Sequence, residues 1–156
     1  MKAVLFAIWL AAATTAAAQA ETFTFTNTNQ IEKYVGGPMI GGSLSSVAFN
    51  TTVGQTTWAT GRTEATSSAC AIWSGAPGAR FPYSGVCDYS GSDGDSNRIA
   101  FDCQPTNSDQ SEADCWGSIS GLAGPHSGKS GTITFHTWGF HSGGASHSAG
   151  AGILPN

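Results

Sequence analysis

The chain has 156 residues, which suits one ordinary domain, and charged residues make up only 10% of it. Its formal net charge is −4, which argues against a nucleic-acid partner, because phosphate binding requires clustered Lys and Arg. The same balance gives no support for docking on anionic lipid. Gly, Ser, Thr and Ala are abundant, and this composition disfavours helices and favours strands.

The first twenty residues have the features of a cleavable signal peptide. Lys2 supplies a positive start, residues 3–13 form an apolar run, and Ala18-Gln19-Ala20 matches the small-x-small cleavage pattern. A membrane span needs about 20 apolar residues, and this run is shorter. We therefore predict cleavage between Ala20 and Glu21, a secreted or periplasmic product with no membrane span, and a single mature domain over 21–156.

Short strands separated by Gly, Pro, Asn and Asp clusters are expected along the mature chain. Alternation and strand-forming residues predict strands over 22–26, 47–53, 56–62, 66–73, 81–90, 98–103, 115–122 and 132–138. The segment 36–43 is expected to be a loop. The Gly- and Ser-rich tail after Gly139 is expected to be one more edge strand or to be frayed.

A hairpin turn is predicted around Asp93-Gly94-Asp95, because Gly accepts the positive φ that such turns require. The apolar residues on both flanking strands are odd-numbered, so facing residues must sum to an even number. A three-residue loop, Asp93–Asp95, meets this condition and places Cys87 opposite Phe101. The alternative is a five-residue loop that pairs Cys87 with Cys103.

Four cysteines in an exported chain predict two disulfides. Because no CxxC is present, we predict no metal site at these cysteines. We favour Cys70–Cys87 and Cys103–Cys115, since each closes a hairpin-sized loop, and other pairings stay open. Each closure would stabilise the fold by about 3 kcal/mol.

In the later strands, the odd-numbered residues form an aliphatic and aromatic face, and the even-numbered residues form a polar face with scattered Trp. Seven or eight strands of this kind predict an all-β fold, namely a small antiparallel β-barrel with one buried side. A β-sandwich is the alternative.

One stretch, residues 85–135, carries a family resemblance. It reads GVCDYSGSDGDSNRIAFDC and, after a polar loop, ADCWGSISGLAGPHSGKSGTITF. It resembles the allene oxide cyclase barrel-like group of small secreted bacterial proteins, in which a Cys-bearing strand leads to an Asp-Gly-Asp hairpin and a second Cys precedes a Gly-rich turn. The aromatic residue that usually follows the Lys of that turn is absent here, since Ser130 follows Lys129. The resemblance implies a calycin-like barrel, and it assigns no catalytic residue.

The motifs for common chemistry are incomplete. Gly128-Lys129-Ser130 lacks the first Gly of a P-loop and precedes a strand, which indicates a turn. The acidic residues around the predicted hairpin do not fit a calcium-loop template, so turn chemistry explains them, with opportunistic calcium binding as the alternative. No nucleophile elbow is present. The four histidines form no HxH or HExxH motif, and we predict no metal and no cofactor. The acidic residues are Asp88, Asp93, Asp95 and Asp102; the histidines are His126, His136, His141 and His147.

Aromatic residues are the remaining candidates for a binding site. Tryptophan on strands usually fills a core, but it also lines cavities for apolar or sugar-like ligands. We predict that Trp116, His136 and Trp138 lie near the mouth or lumen of the barrel and contact a small apolar ligand.

The main functional hypothesis is a non-enzymatic module that binds a small ligand or has a structural role. A second is a cofactor-free isomerase or cyclase of the allene oxide cyclase type, which requires a polar group inside an apolar cavity. A third is a secreted effector or inhibitor that binds a protein partner through exposed loops. A lumen of about 300 Å³ or more with one buried acid or His would favour the second hypothesis. A lumen packed solid would leave a surface role.

Overall fold

A computed structural model describes residues 20–38, 44–75, 80–139 and 145–155. Eight antiparallel strands form a closed barrel in chain order, with the last strand paired to the first. The strands are β1 Glu21–Pro38, β2 Leu44–Trp58, β3 Thr63–Ser74, β4 Tyr83–Gly91, β5 Ser96–Pro105, β6 Glu112–Ala123, β7 Ser130–Trp138 and β8 Ala145–Leu154. The prediction of a small antiparallel barrel is therefore confirmed. Within the described ranges, no helix is long and apolar enough to cross a membrane.

The boundaries of β1 and β2 differ from the predicted ones. Residues 47–53 and 56–62 were expected to be separate strands, but β2 runs without a break to Trp58. The turn comes only after that point, where Trp58 donates its backbone N–H to the Arg62 carbonyl and Gly61 takes a φ of 85°. The predicted loop over 36–43 is in part wrong, because β1 extends to Pro38. Residues 39–43, and residues 1–19 of the predicted signal peptide, lie outside the described part of the chain.

The C-terminal tail closes the barrel. It forms one more strand, as predicted, but neither an edge strand nor a frayed end, because β8 pairs with β7 on one side and with β1 on the other. Residues 140–144 of the tail lie outside the described part of the chain. Small residues on β8 allow this closure. A Cβ atom at Gly152 would come within 2.3 Å of the Phe23 ring, so only glycine leaves room for that core aromatic side chain.

In the β4–β5 hairpin, odd-numbered residues face odd-numbered residues as predicted, but the individual pairs differ from the predicted ones. Cys87 faces Ile99 rather than Phe101, and Cys103 faces Tyr83, so neither predicted loop is found. The backbone N–H of Gly91 donates to the Asp95 carbonyl, and residues 92–95 connect the two strands. The shift has a physical cause, since the Asp95 side chain turns into the barrel, where it is 1% exposed.

Both predicted disulfides are confirmed. Cys70–Cys87 joins β3 to β4, and Cys103–Cys115 joins β5 to β6. All four cysteines are buried inside the barrel. Two disulfides of this kind fit an oxidising compartment.

The barrel interior has two ends. The lower end holds the β2–β3, β4–β5 and β6–β7 connections, and the upper end holds the others. The lower half is packed with large apolar side chains, among them Phe23, Trp58, Ile119 and Ile133. The middle of strand β2 reverses the usual pattern, because Asn50 and Thr52 are buried inside while Phe49 and Val53 are exposed. Large apolar side chains therefore fill most of the lower half, while the upper half mixes polar and apolar side chains.

Candidate functional site

The main concavity lies in the upper half of the barrel and has a volume of about 610 Å³. This falls within the range of about 300–1,000 Å³ that is usual for small-ligand sites. It lies inside the barrel between the strands. Its lining extends outward to Ile31 and Trp73, which are 39% and 40% exposed. An eight-stranded barrel is just wide enough to hold one small ligand.

The wall of this upper cavity has two different sides. One side, from β7, β8, β1 and β2, carries neutral polar groups among apolar ones, and the other, mostly from β3 to β6, is apolar and contains both disulfides. The first side, which we call the polar side, consists of Thr137, Ser146, Ser148, Asn29 and Asn50 together with the apolar Phe25, Ile31, Ala48, Ile133 and Phe135. The apolar side includes Ile72, Tyr83, Ile99, Phe101 and the four cystine residues. A molecule bound here would meet hydrogen-bonding groups along one edge and hydrocarbon and sulfur along the other.

Asn50, which lines this cavity, has a buried side-chain oxygen that lacks a hydrogen-bond donor. Its side chain is 5% exposed, and Oδ1 accepts no hydrogen bond from any group in the described ranges. Leaving a buried acceptor unpaired costs about 1–3 kcal/mol, so such groups mark positions where another donor belongs. A neighbouring polar pair is already satisfied, since Asn29 donates to the Ser146 hydroxyl at 3.3 Å.

The described lining of the upper cavity contains no acid and no histidine. Its titratable side chains are Tyr83 and Tyr89, apart from the oxidised cysteines. Burial raises the pKa of the Tyr89 hydroxyl, and hydrogen bonds with Ser68 and Asn27 oppose that rise. The cavity wall is therefore electrically neutral at ordinary pH.

The structure places the predicted ligand-contacting residues on the outer surface of the barrel. Trp116 and Trp138 are 39% and 38% exposed, and the side chain of His136 is 41% exposed. Their even numbering on β6 and β7 directs them away from the lumen, because Cys115, Ile133 and the other odd-numbered residues fill it. None of the three lines the upper cavity.

Two of these three residues meet on the outer face. The His136 ring stacks on Trp138 at a centroid distance of 5.9 Å, and Trp138 lies 5.7 Å from the ring of His147. His136 also contacts Asp114, with 2.8 Å between Nδ1 and Oδ1. Trp116 lies apart from them and packs edge-on against Phe81 at 5.2 Å. Whether this face binds anything stays a prediction.

A buried polar cluster, which the sequence reasoning missed, occupies the lower end. His126 is 1% exposed and stacks on Trp58 at 4.4 Å. Its Nδ1 contacts Asp95, and its Nε2 lies 3.1 Å from Glu21 Oε2. Sequence reasoning assigned His126 and Asp95 to separate turns, and no spacing rule relates residues that are 31 positions apart.

Glu64 extends this cluster on the β3 side. The Trp58 indole N–H donates to Glu64 Oε1 at 2.8 Å. Burial raises the pKa of the Glu64 carboxyl, and the neighbouring Asp93 carboxylate raises it further. Asp93 pairs with Arg62, whose guanidinium lies 4.8 Å above the Trp58 ring. The lower end of the lumen is therefore closed by a charged and aromatic plug.

No protein-family model, curated protein or solved structure matches this chain. The resemblance to the allene oxide cyclase barrel-like group therefore stays a prediction.

Proposed function

We propose that this protein is an exported binding module that holds one neutral, amphipathic small molecule in the upper cavity. The observation that carries the proposal is the two-sided lining, with an unpaired buried Asn50 acceptor on its polar side. The disulfides support export, since such bonds persist in oxidising compartments. The ligand class is a ring or short chain with a hydroxyl or N–H donor along one edge.

The neutral wall favours binding over catalysis. A buried acid or His in a lumen of this size would favour a cyclase of the allene oxide type, and the described lining supplies neither. The buried carboxylates and His126 lie in the plug below, which forms no part of this lining. Charged ligands are disfavoured, because a buried charge needs a counter-charge or dedicated hydrogen bonds.

A dye titration tests this proposal. N-phenylnaphthylamine is neutral, carries one N–H donor and fluoresces in apolar surroundings. We expect saturable binding to the wild type and a Kd raised about tenfold or more in Ser148→Phe, whose ring would occupy cavity volume. The control is His147→Phe, on the same strand but on the exposed outer face, and it should bind like the wild type.

Asn50→Leu tests whether the polar group of Asn50 contributes to binding in addition to hydrophobic contacts. This substitution keeps the branching of the side chain and removes the unpaired acceptor. We expect it to weaken dye binding several-fold while leaving the fold at least as stable, because an unsatisfied polar group is removed. Equal affinities for the wild type, Ser148→Phe and Asn50→Leu would refute the proposal.

A further inference from the structure

A trough runs along β8 on the outer surface of the barrel, and we call it the outer trough. Its volume is about 510 Å³, which falls within the usual range for small-ligand sites. Ala151 and Gly152 of β8 form its floor, because they leave space between the larger side chains of β7 and β1. The rest of its apolar lining consists of Ala59 and Ile153 at the surface and of the buried core residues Phe23, Trp58 and Ile133.

The polar part of the outer trough is threonine alone. The register places Thr134, Ala151 and Thr24 in one row across β7, β8 and β1, so hydroxyl groups flank the alanine on both sides. Each threonine offers a methyl group and a hydroxyl group, and the described lining contains no charged side chain. Five exposed threonines line the trough, namely Thr22, Thr24, Thr57, Thr132 and Thr134.

An exposed aromatic patch lies further along the same strands. Trp138 is four residues beyond Thr134 on β7, which is about 13 Å along the strand. It faces His147 on β8 and stays 38% exposed, although the rings of His136 and His147 lie beside it. On β8, Ala149 is the outward residue between Ala151 and His147, so small side chains continue the floor toward this patch.

We propose that the outer trough and the Trp138 patch bind a neutral, extended glycan chain. Sugar rings carry C–H groups that pack on aromatic and methyl groups, and hydroxyl groups that hydrogen-bond with side-chain oxygens. Glu112 faces Trp138 and Asp114 faces His136, so two carboxylates that accept such hydrogen bonds border the patch. These carboxylates and the net charge of −4 repel anionic glycans.

The closed sheet disfavours a peptide at this place. A peptide that binds to a sheet in extended form adds a strand at a free edge, whereas β8 is paired on both sides. A purely apolar partner is disfavoured as well, because the threonine hydroxyls would lose their hydrogen bonds with water. The trough lies outside the barrel, so this proposal does not depend on the ligand of the upper cavity.

Affinity electrophoresis of the whole exported protein tests the proposal. Native gels contain one of three neutral polysaccharides with straight backbones, namely hydroxyethylcellulose, glucomannan or hydroxyethyl chitin. A further gel contains carboxymethylcellulose, which adds anionic groups to the cellulose backbone. We expect at least one neutral polysaccharide to retard the protein and carboxymethylcellulose not to retard it.

Two substitutions test the floor and the aromatic patch separately. Ala151→Leu fills the floor, and Trp138→Ala removes the exposed ring; both side chains lie on the outer face, so both variants should fold. We expect each to raise the apparent Kd for the retarding polysaccharide about tenfold or more. The matched controls are Ala69→Leu, at an exposed alanine of β3, and Trp116→Ala, at a tryptophan that is 39% exposed and packs on Phe81. Both controls should bind like the wild type.

Several results would overturn the proposal. If none of the three neutral polysaccharides retards the wild type, the trough is not a glycan site. If Ala151→Leu and Trp138→Ala bind like the controls, any glycan is held elsewhere on the surface. Equal retardation by carboxymethylcellulose and hydroxyethylcellulose would contradict the preference for a neutral chain. If one of the two test variants fails to fold by far-ultraviolet circular dichroism, the other decides the outcome.

Discussion

Polar side chains inside the barrel occupy two levels with different chemistry. The upper level carries neutral groups such as Asn50, Ser146 and Ser148, while the lower level carries the buried pair Asp95 and His126. Neutral groups without a ligand lower the stability of the fold only modestly, because only one or two hydrogen bonds are missing. Buried carboxylates without partners would lower it more, and those of the lower level contact His126, Arg62 and the Trp58 N–H instead.

Glu64 gives the lower level a measurable pH dependence. Its folded-state pKa lies above the ordinary value of 4.5, so folding favours the protonated form. The stabilisation that this group contributes is present below about pH 4.5 and is lost as pH rises through the raised pKa. Urea unfolding at about pH 5 and about pH 8 should therefore show a larger fall in the free energy of unfolding for the wild type than for Glu64→Gln. Identical pH slopes for the two proteins would contradict the assignment.

The sequence could predict part of this residue-level arrangement. The parity that puts Ile133 and Phe135 inside also puts His136 and Trp138 outside, so period two already argued against these two as lumen residues. The inward position of Asn50 could not be predicted, because the neighbouring Phe49 and Val53 suggest that the opposite face of β2 is buried. Pairing across the closed sheet overrides that local preference.

At the level of elements, each disulfide links two neighbouring strands of a hairpin. Cys70–Cys87 spans a separation of 17 residues and Cys103–Cys115 one of 12. Both lie on the apolar side of the upper cavity. They therefore hold together the half of the barrel that a ligand site leaves under-packed.

Removing one link should expose this role. We expect the double substitution Cys103→Ala with Cys115→Ala to lower the free energy of unfolding by about 3 kcal/mol, measured by urea denaturation. Ser118→Ala, on the exposed face of β6, is the control and should stay within about 0.5 kcal/mol of the wild type. A loss below about 1 kcal/mol for the double variant would show that this link is dispensable.

The pairing of these cysteines was predictable, whereas the hairpin register was not. Parity and loop length favour Cys70–Cys87 and Cys103–Cys115 without any knowledge of the barrel. The register depends on Asp95, whose side chain leaves the turn to contact His126. The position of β8 in the barrel could not be predicted for the same reason. Its glycines are needed because they leave room for Phe23 and other rings on strands that are distant in sequence.

The whole molecule is a barrel that is filled at one end and hollow at the other. Large rings, including Phe23 and Trp58, fill the lower half, while Ser, Thr and Asn from β7, β8, β1 and β2 leave the upper half open. Strand number sets the diameter, and side-chain size then determines where space remains. Composition predicted the barrel, but the position of its cavity depends on which small residues face one another across it.

The central claim, binding inside the upper cavity, is tested most directly by intermolecular NOEs between N-phenylnaphthylamine and the protein. We predict cross-peaks from the dye ring protons to the methyl groups of Ile72, which faces the cavity, and none to Val53, which is 65% exposed on the outer surface. Cross-peaks to Val53 alone, or no cross-peaks at saturating dye, would contradict the claim.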